Sequence, residues 1–129
     1  ELVASILIDL SEQRLYAYDT QQRLIYQAPV STGKPATPTP AGHFQVTSRY
    51  PRTSMTGSDY HVPVVENVLC LGGPGLRPDS ICLHPAPWQE RAGLSFGVAR
   101  SHGCVRTSTP TARWLFLRTP IGTHVTIRE

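Results

Sequence analysis

The chain has 129 residues, 40% of them apolar, with a net charge of +3 and three cysteines. That length supports one hydrophobic core and is short for two domains. The apolar share excludes a disordered chain, and no apolar run reaches the roughly 20 residues of a membrane-spanning helix. Lys34 is the only lysine, and the arginines stand singly rather than in a basic run, so no nucleic-acid footprint is expected. Glu1-Leu2-Val3 shows no basic segment followed by an apolar one, so the sequence is read without a signal peptide, which processing could have removed.

Val, Ile and Leu between Leu2 and Leu10 predict a first strand, with a turn at Ser11-Glu12-Gln13. Arg14 to Tyr18 and Arg23 to Val30 predict two more, with Pro29 near an edge because it has no amide proton to donate. Ser31 to Gly42 holds three prolines and two glycines and is read as a stiff loop. His43 to Thr47 resumes strand character, Tyr50 to Asp59 reads as polar and irregular, and Tyr60 to Val65 and Val68 to Leu71 read as two short strands around Glu66-Asn67. Gly72-Gly73-Pro74-Gly75 is a turn that lacks the residues of a phosphate loop. Ile81 to His84 is a strand ended by Pro85 and Pro87, and Trp88 to Ala92 a helical turn. Thr109 as N-cap and Pro110 as first helical residue open a helix that Pro120 stops, and Thr123 to Ile127 closes the chain as a strand. These elements predict a mainly β domain spanning 1–129, a mixed sandwich or partly open barrel with one or two short helices.

The chemistry concentrates in Ser101-His102-Gly103-Cys104-Val105-Arg106. A thiol with histidines elsewhere in the chain is the outline of a cysteine acyl-transfer enzyme, whose partners meet in space rather than in sequence. Cys104 is read as nucleophile on a loop before the main helix, and His84, at a strand end, as its base. A third group must hold the other imidazole nitrogen, and a backbone carbonyl suffices. Amides at Gly103 and Cys104 are candidate oxyanion donors. Against this, Cys104 could be a small buried apolar residue and His84 a satisfied core histidine. Cys82-x-His84 and His102-x-Cys104 could together hold zinc, although their spacing is not the usual one. Cys70 and Cys82 could form a cross-strand disulfide, but two buried thiols are the favoured reading. His43, His61 and His124 are read as structural or solvent-facing.

Ser101 to Arg106, with His84 upstream, resembles the catalytic signature of the L,D-transpeptidase (YkuD-type) family. Thr37-Pro38-Thr39-Pro40-Ala41-Gly42-His43-Phe44 is similar to that family's T-P-x-G-x-F segment, and the first and last strands also match its pattern. The resemblance implies two mixed sheets, no cofactor and no metal. It further implies an extracytoplasmic bacterial enzyme acting on peptidoglycan stem peptides. Cys104 would attack the bond between an L-configured centre and a terminal D-Ala and release D-Ala. An amine of a second stem would then resolve the thioester into a 3→3 cross-link, or water would give L,D-carboxypeptidase activity. Ser101, His102 and Gly103 would shape the pocket and oxyanion site, and Arg106 would order the loop or meet a substrate carboxylate. Where the family usually has Gly or Ser after the catalytic His, this chain has Pro85, whose carbonyl would still orient the imidazole. A non-catalytic wall-binding domain and a zinc-stabilised module are the readings from other classes.

Overall fold

In the computed structural model, which describes residues 1–56 and 61–129, the chain is mainly β, with two helices among the described residues. The strands are β1 (Ser5–Asp9), β2 (Arg14–Tyr18), β3 (Leu24–Pro29), β4 (Gly42–Thr56), β5 (His61–Gly72), β6 (Cys82–Pro85), β7 (Val105–Thr107) and β8 (His124–Arg128). The helices are α1 (Pro87–Arg91) and α2 (Thr109–Arg118). All eight strands form one mixed sheet in the order β3-β2-β1-β8-β4-β5-β6-β7. The two sheets that the resemblance implied are therefore continuous. They join because β8 runs parallel to β1 on one flank and antiparallel to β4 on the other.

The first two turns each hang on one aspartate. Asp9 Oδ1 accepts from Ser11 Oγ at 2.8 Å and from the Glu12 amide at 2.9 Å. Asp19 accepts from the amides of Gln21 at 2.8 Å and Arg23 at 2.9 Å and from Arg23 Nε at 2.9 Å. The Arg23 amide is the largest of the influences that hold its carboxyl at about 2. A short acceptor side chain folded back on the following amides is what specifies such a turn locally.

The region read as irregular after Tyr50 is the outer half of a long hairpin. β4 runs 15 residues to Thr56, and β5 is one strand of 12 residues rather than two short ones. Asn67 adopts φ 59° inside it, a left-handed conformation that Asn tolerates. That kink is what the Glu66-Asn67 break in the sequence encodes. The outer half of β4 is exposed or half-buried throughout. Alternation of apolar and polar residues is lost there, and with it the strand signal. The expected strand start at Tyr60 lies outside the described residues.

The core lines the inner face of every strand, with β3 contributing Ala28. Ile6 and Ile8 of β1, Leu15 of β2, Val46 of β4, Leu69 and Leu71 of β5, Leu83 of β6, Val105 of β7 and Ile127 of β8 are each at most 2% exposed. Helix α2 presses Leu115 into this core. Its N-cap is Ser108, one residue before the expected Thr109. The Ser108 hydroxyl accepts from the Thr111 amide, while Thr109 Oγ1 donates to Glu90.

The sheet is not closed, yet its ends meet. β3 and β7 are the outermost strands, and Ser31, just past β3, exchanges two backbone hydrogen bonds with Arg106 of β7, both 2.9 Å. The proline loop that follows lies along residues 101–103. The Lys34 amide donates to the Ser101 carbonyl at 3.0 Å, and the Ser101 amide to the Thr32 carbonyl at 3.0 Å. Thr39 Oγ1 accepts from the Gly33 amide at 2.9 Å and donates to the Gly103 carbonyl at 2.5 Å.

Two predictions follow from this packing. Leu115→Ala should lower unfolding free energy by about 2–5 kcal/mol in denaturant titration, since it empties a fully enclosed site. Gly33→Ala should change the alkylation rate of Cys104 as well as stability, because a Cβ at Gly33 would meet the Thr37 carbonyl oxygen at 2.0 Å. An unchanged alkylation rate in the folded variant would show that the proline loop does not set the position of residues 101–104.

Candidate active site

Strand register assembles the site. β6 and β7 are parallel neighbours, with Leu83 against Val105 and His84 against Arg106. Side chains alternate between faces, so Leu83 and Val105 enter the core while Cys82, His84, Cys104 and Arg106 share the other face. Gly103 enters β7 at φ 135°, a conformation that disfavours any side chain.

His84 is 5% exposed, and its Nδ1 lies 2.6 Å from the carbonyl oxygen of Pro85. A carbonyl only accepts, so Nδ1 carries the proton and Nε2 keeps its lone pair. Burial, helped by the positive charge of Arg106, depresses the imidazole to about 4, against a smaller opposing effect of the Pro85 carbonyl. At neutral pH the ring is uncharged. The Trp88 ring lies 5.9 Å from it, centroid to centroid.

Cys104 is half-buried and is the free thiol. Its sulfur accepts from the Cys82 amide at 3.3 Å and lies 3.8 Å from the Ser80 carbonyl, to which the S–H can donate. Burial raises the thiol above its ordinary value, while the Cys82 amide and the Arg106 charge act the other way. Both groups are neutral at rest, and the thiol is held by backbone groups rather than by the imidazole.

Cys104 and His84 nevertheless line one cavity of about 210 Å³, with Ser101, His102 and Arg106 on its wall and Met55, Val62 and Trp88 as its apolar lining. A second cleft of about 490 Å³ also borders Cys104, with Tyr50, Ser54, Arg77 and Asp79 among its lining. The β4–β5 hairpin overhangs both. Cys104 therefore borders two clefts.

Five residues predicted from sequence thus meet around one cavity, and two more act through their backbone. Pro85 contributes its carbonyl. Gly103 has its amide donated to Ser101 Oγ at 3.1 Å, and the same hydroxyl donates to the Cys104 carbonyl at 2.5 Å. Among the bystander histidines, His43 and His124 pair with each other at 3.3 Å, and His61 meets Thr56 Oγ1 at 2.7 Å.

Cys70 and Cys82 are joined by a disulfide. Two buried thiols were the favoured expectation. Antiparallel pairing of β5 with β6 puts the two residues directly opposite each other, which spacing around a turn could not decide. With Cys82 committed to that bond, the four-ligand zinc set loses one thiolate.

Three site residues escaped the sequence reading. Trp88 carries the Arg106 guanidinium 5.4 Å from its ring centroid. Gln89 accepts from Arg106 at 3.3 Å and donates to Ser31 Oγ at 3.0 Å, which ties the site to the sheet's far end. Thr39 buttresses Gly103. Trp88 and Gln89 sit in a single helical turn with no pattern to single them out, whereas the T-P-x-G-x-F segment contained Thr39 without revealing its contact.

The family model for the L,D-transpeptidase catalytic domain matches residues 4–127. L,D-transpeptidase 2 of Mycobacterium tuberculosis is 33% identical over 104 residues, which cover 72% of this chain and 23% of that relative. Probable L,D-transpeptidase 3 of the same species is 31% identical over 111 residues, covering 78% of this chain and 38% of the relative. The chain thus spans well under half the length of these curated relatives. Among solved structures, a cysteine-to-serine mutant of an Enterococcus faecium L,D-transpeptidase superposes with a TM-score of 0.82 at 26% identity, over 97% of this chain and 49% of that one. L,D-transpeptidase 3 from Mycobacterium tuberculosis, in complex with a faropenem-derived adduct, superposes with a TM-score of 0.75 at 23% identity, over 97% of this chain and 60% of that one. The chain therefore belongs to the L,D-transpeptidase catalytic-domain family.

Proposed function

We propose that this chain is the catalytic domain of an extracytoplasmic peptidoglycan L,D-transpeptidase, with Cys104 as nucleophile and His84 as general base. The observation that carries this reading is a neutral imidazole, fixed by the Pro85 carbonyl with Nε2 unprotonated, on the same cavity as the chain's free thiol.

In the Michaelis complex the thiol turns from the Ser80 carbonyl to Nε2, a contact that resting structures often lack. Sγ attacks the carbonyl carbon between an L-configured centre and the terminal D-Ala of a tetrapeptide stem, and Nε2 takes the thiol proton. The tetrahedral intermediate collapses, the C–N bond breaks, and the imidazolium hands its proton to the D-Ala amine. An imidazolium depressed to about 4 gives up that proton readily. The thioester then meets the side-chain amine of a second stem. The amine attacks, His84 accepts its proton and returns it to the departing sulfur, and a 3→3 cross-link results. Water in place of the amine gives the L,D-carboxypeptidase outcome.

Arg106 favours a thiolate and disfavours an imidazolium. Ser101 and His102 shape the pocket, and Gly103 serves the oxyanion only when its amide leaves Ser101 Oγ. Cys104 borders both clefts, which gives donor and acceptor stems separate surfaces on which to meet the sulfur.

A carbapenem or penem should acylate Cys104 with the mass of one intact adduct, and Cys104→Ala should show none. With a defined tetrapeptide stem, mass spectrometry should show D-Ala loss from the wild type and no product from that variant, a fall of about a thousandfold or more. His84→Ala should slow acylation about 10²- to 10⁴-fold. The pH profile gives an independent check. A base with a depressed value is competent above it and fails as protonation sets in, so kcat/KM should hold through pH 5 and fall only as pH drops through about 4. An acid limb near the ordinary histidine value, about 6.5, would rule out buried His84 as the base.

A further inference from the structure

The three cysteines of this chain stand in one row. Cys82 lies opposite Cys70 across the antiparallel β5–β6 pair. The parallel register of β6 with β7, His84 against Arg106 and Leu83 against Val105, places Cys104 opposite Cys82 one step earlier. The Cys104 sulfur takes its hydrogen bond from the Cys82 amide at 3.3 Å. It packs against the apolar cluster that contains both half-cystines. All three residues line the larger cleft of about 490 Å³. Neighbouring strands are about 4.8 Å apart, so the backbones of Cys70 and Cys104 are about 10 Å apart, with Cys82 midway. A disulfide needs Cα atoms within about 7 Å, so Cys82 can bond either neighbour while Cys70 and Cys104 cannot bond each other.

We propose that Cys82 is a second covalent partner of Cys104. The Cys104 thiolate attacks Cys82 Sγ, the Cys70–Cys82 bond breaks, a Cys82–Cys104 disulfide forms, and Cys70 leaves as thiolate. The proton given up by Cys104 ends on Cys70. One disulfide replaces another, so no oxidant or reductant is consumed. The exchange reverses when Cys70 attacks Cys82 in turn. Its consequence rests on the proposed function: the nucleophile is parked in a bond that cannot acylate and is shielded from irreversible oxidation. The Cys70–Cys82 disulfide thereby becomes a reservoir for the active site as well as a tie between strands.

Sulfur mapping of the whole chain tests this. Under mild oxidation with a glutathione couple, Cys70→Ser should yield a Cys82–Cys104 linked peptide on non-reducing digestion. Its Cys104 should alkylate about tenfold or more slowly than in the reduced protein, and thiol reductant should restore the rate. Cys82→Ser under the same conditions should leave Cys104 open to alkylation with no Cys70–Cys104 link. A Cys104 in oxidised Cys70→Ser that stays fully reactive, or that carries glutathione while Cys82 does too, overturns the proposal. So does an equal yield of a Cys70–Cys104 link in Cys82→Ser. The wild type gives a measurement free of any folding defect. Alkylation at mildly alkaline pH should label a fraction of Cys70 and leave an equal fraction of Cys104 blocked, and labelling of Cys104 alone rejects the exchange. These readouts concern sulfur connectivity only. Failure of the reduced wild type to take a carbapenem would instead count against the proposed function and leave the mapping result intact.

Discussion

Two backbone hydrogen bonds between Ser31 and Arg106 decide where everything else in this molecule sits. They join the segment after β3 to β7, strands at opposite ends of the eight-strand order. Once that contact is made, the proline loop lies against Ser101 and Gly103 and the Cys104 stretch has a wall behind it. Gln89 reinforces the same junction from α1, touching both Ser31 and Arg106 through side-chain bonds. Each such bond is worth only about 0.5–1.5 kcal/mol net. Their effect comes from acting together on one short loop, where they replace many conformations of residues 101–103 by one. The barrel stays open as a sheet, and the opening is bridged beside the cavity that Cys104 and His84 line.

That junction also fixes the electrostatics. Arg106 is held beside Trp88 and Gln89, close enough to act on both His84 and Cys104. A single cation there has opposite consequences for the two groups, easing loss of the thiol proton and opposing its arrival on the imidazole. Burial of both groups adds to the second effect and outweighs the first, so the thiol sits above its ordinary value. The resting pair is thus thiol and imidazole, not thiolate and imidazolium. The same low basicity that makes His84 a reluctant proton acceptor makes its conjugate acid a ready proton donor.

Much of this was legible in the sequence where one face of an element is buried and the other wet. Strands β1, β2, β3, β6 and β8 declare themselves through Ile, Leu, Val and Tyr, and Ser101 to Arg106 with His84 marked the chemistry. The hairpin did not show itself because its outer half projects beyond the core, so polar residues occupy both faces of β4 past Tyr50. The N-cap slipped by one residue because Thr107-Ser108-Thr109 offers three hydroxyls in succession, and only geometry shows that Ser108 reaches the Thr111 amide. The disulfide was open to the sequence but not decided by it, for a similar reason. Cys70 and Cys82 sit 12 residues apart around a glycine turn, and the register that aligns them is set by Leu69 meeting Leu83. The bonds of Thr39 to Gly103 and of Gln89 to Ser31 and Arg106 are long-range, and no local pattern encodes them.

Pro85 shows how a departure from the family pattern can be accommodated by strand geometry. The Ala86 amide donates to the Thr107 carbonyl, so the amide side of Ala86 faces β7. Adjacent residues in a strand present their backbone groups to opposite flanks, so the amide position and the carbonyl of Pro85 face the β5 side. Pairing of β6 with β5 stops at Leu83, two residues earlier. A proline there removes no ladder hydrogen bond, which is the condition for proline in a strand. Its carbonyl, equally unclaimed by β5, is left over for the Nδ1 proton of His84. The same end of pairing that tolerates the proline supplies the acceptor that fixes the tautomer. A Gly or Ser at this position would present the same carbonyl on a looser backbone, so proline here narrows the orientations of the imidazole without changing the chemistry asked of it.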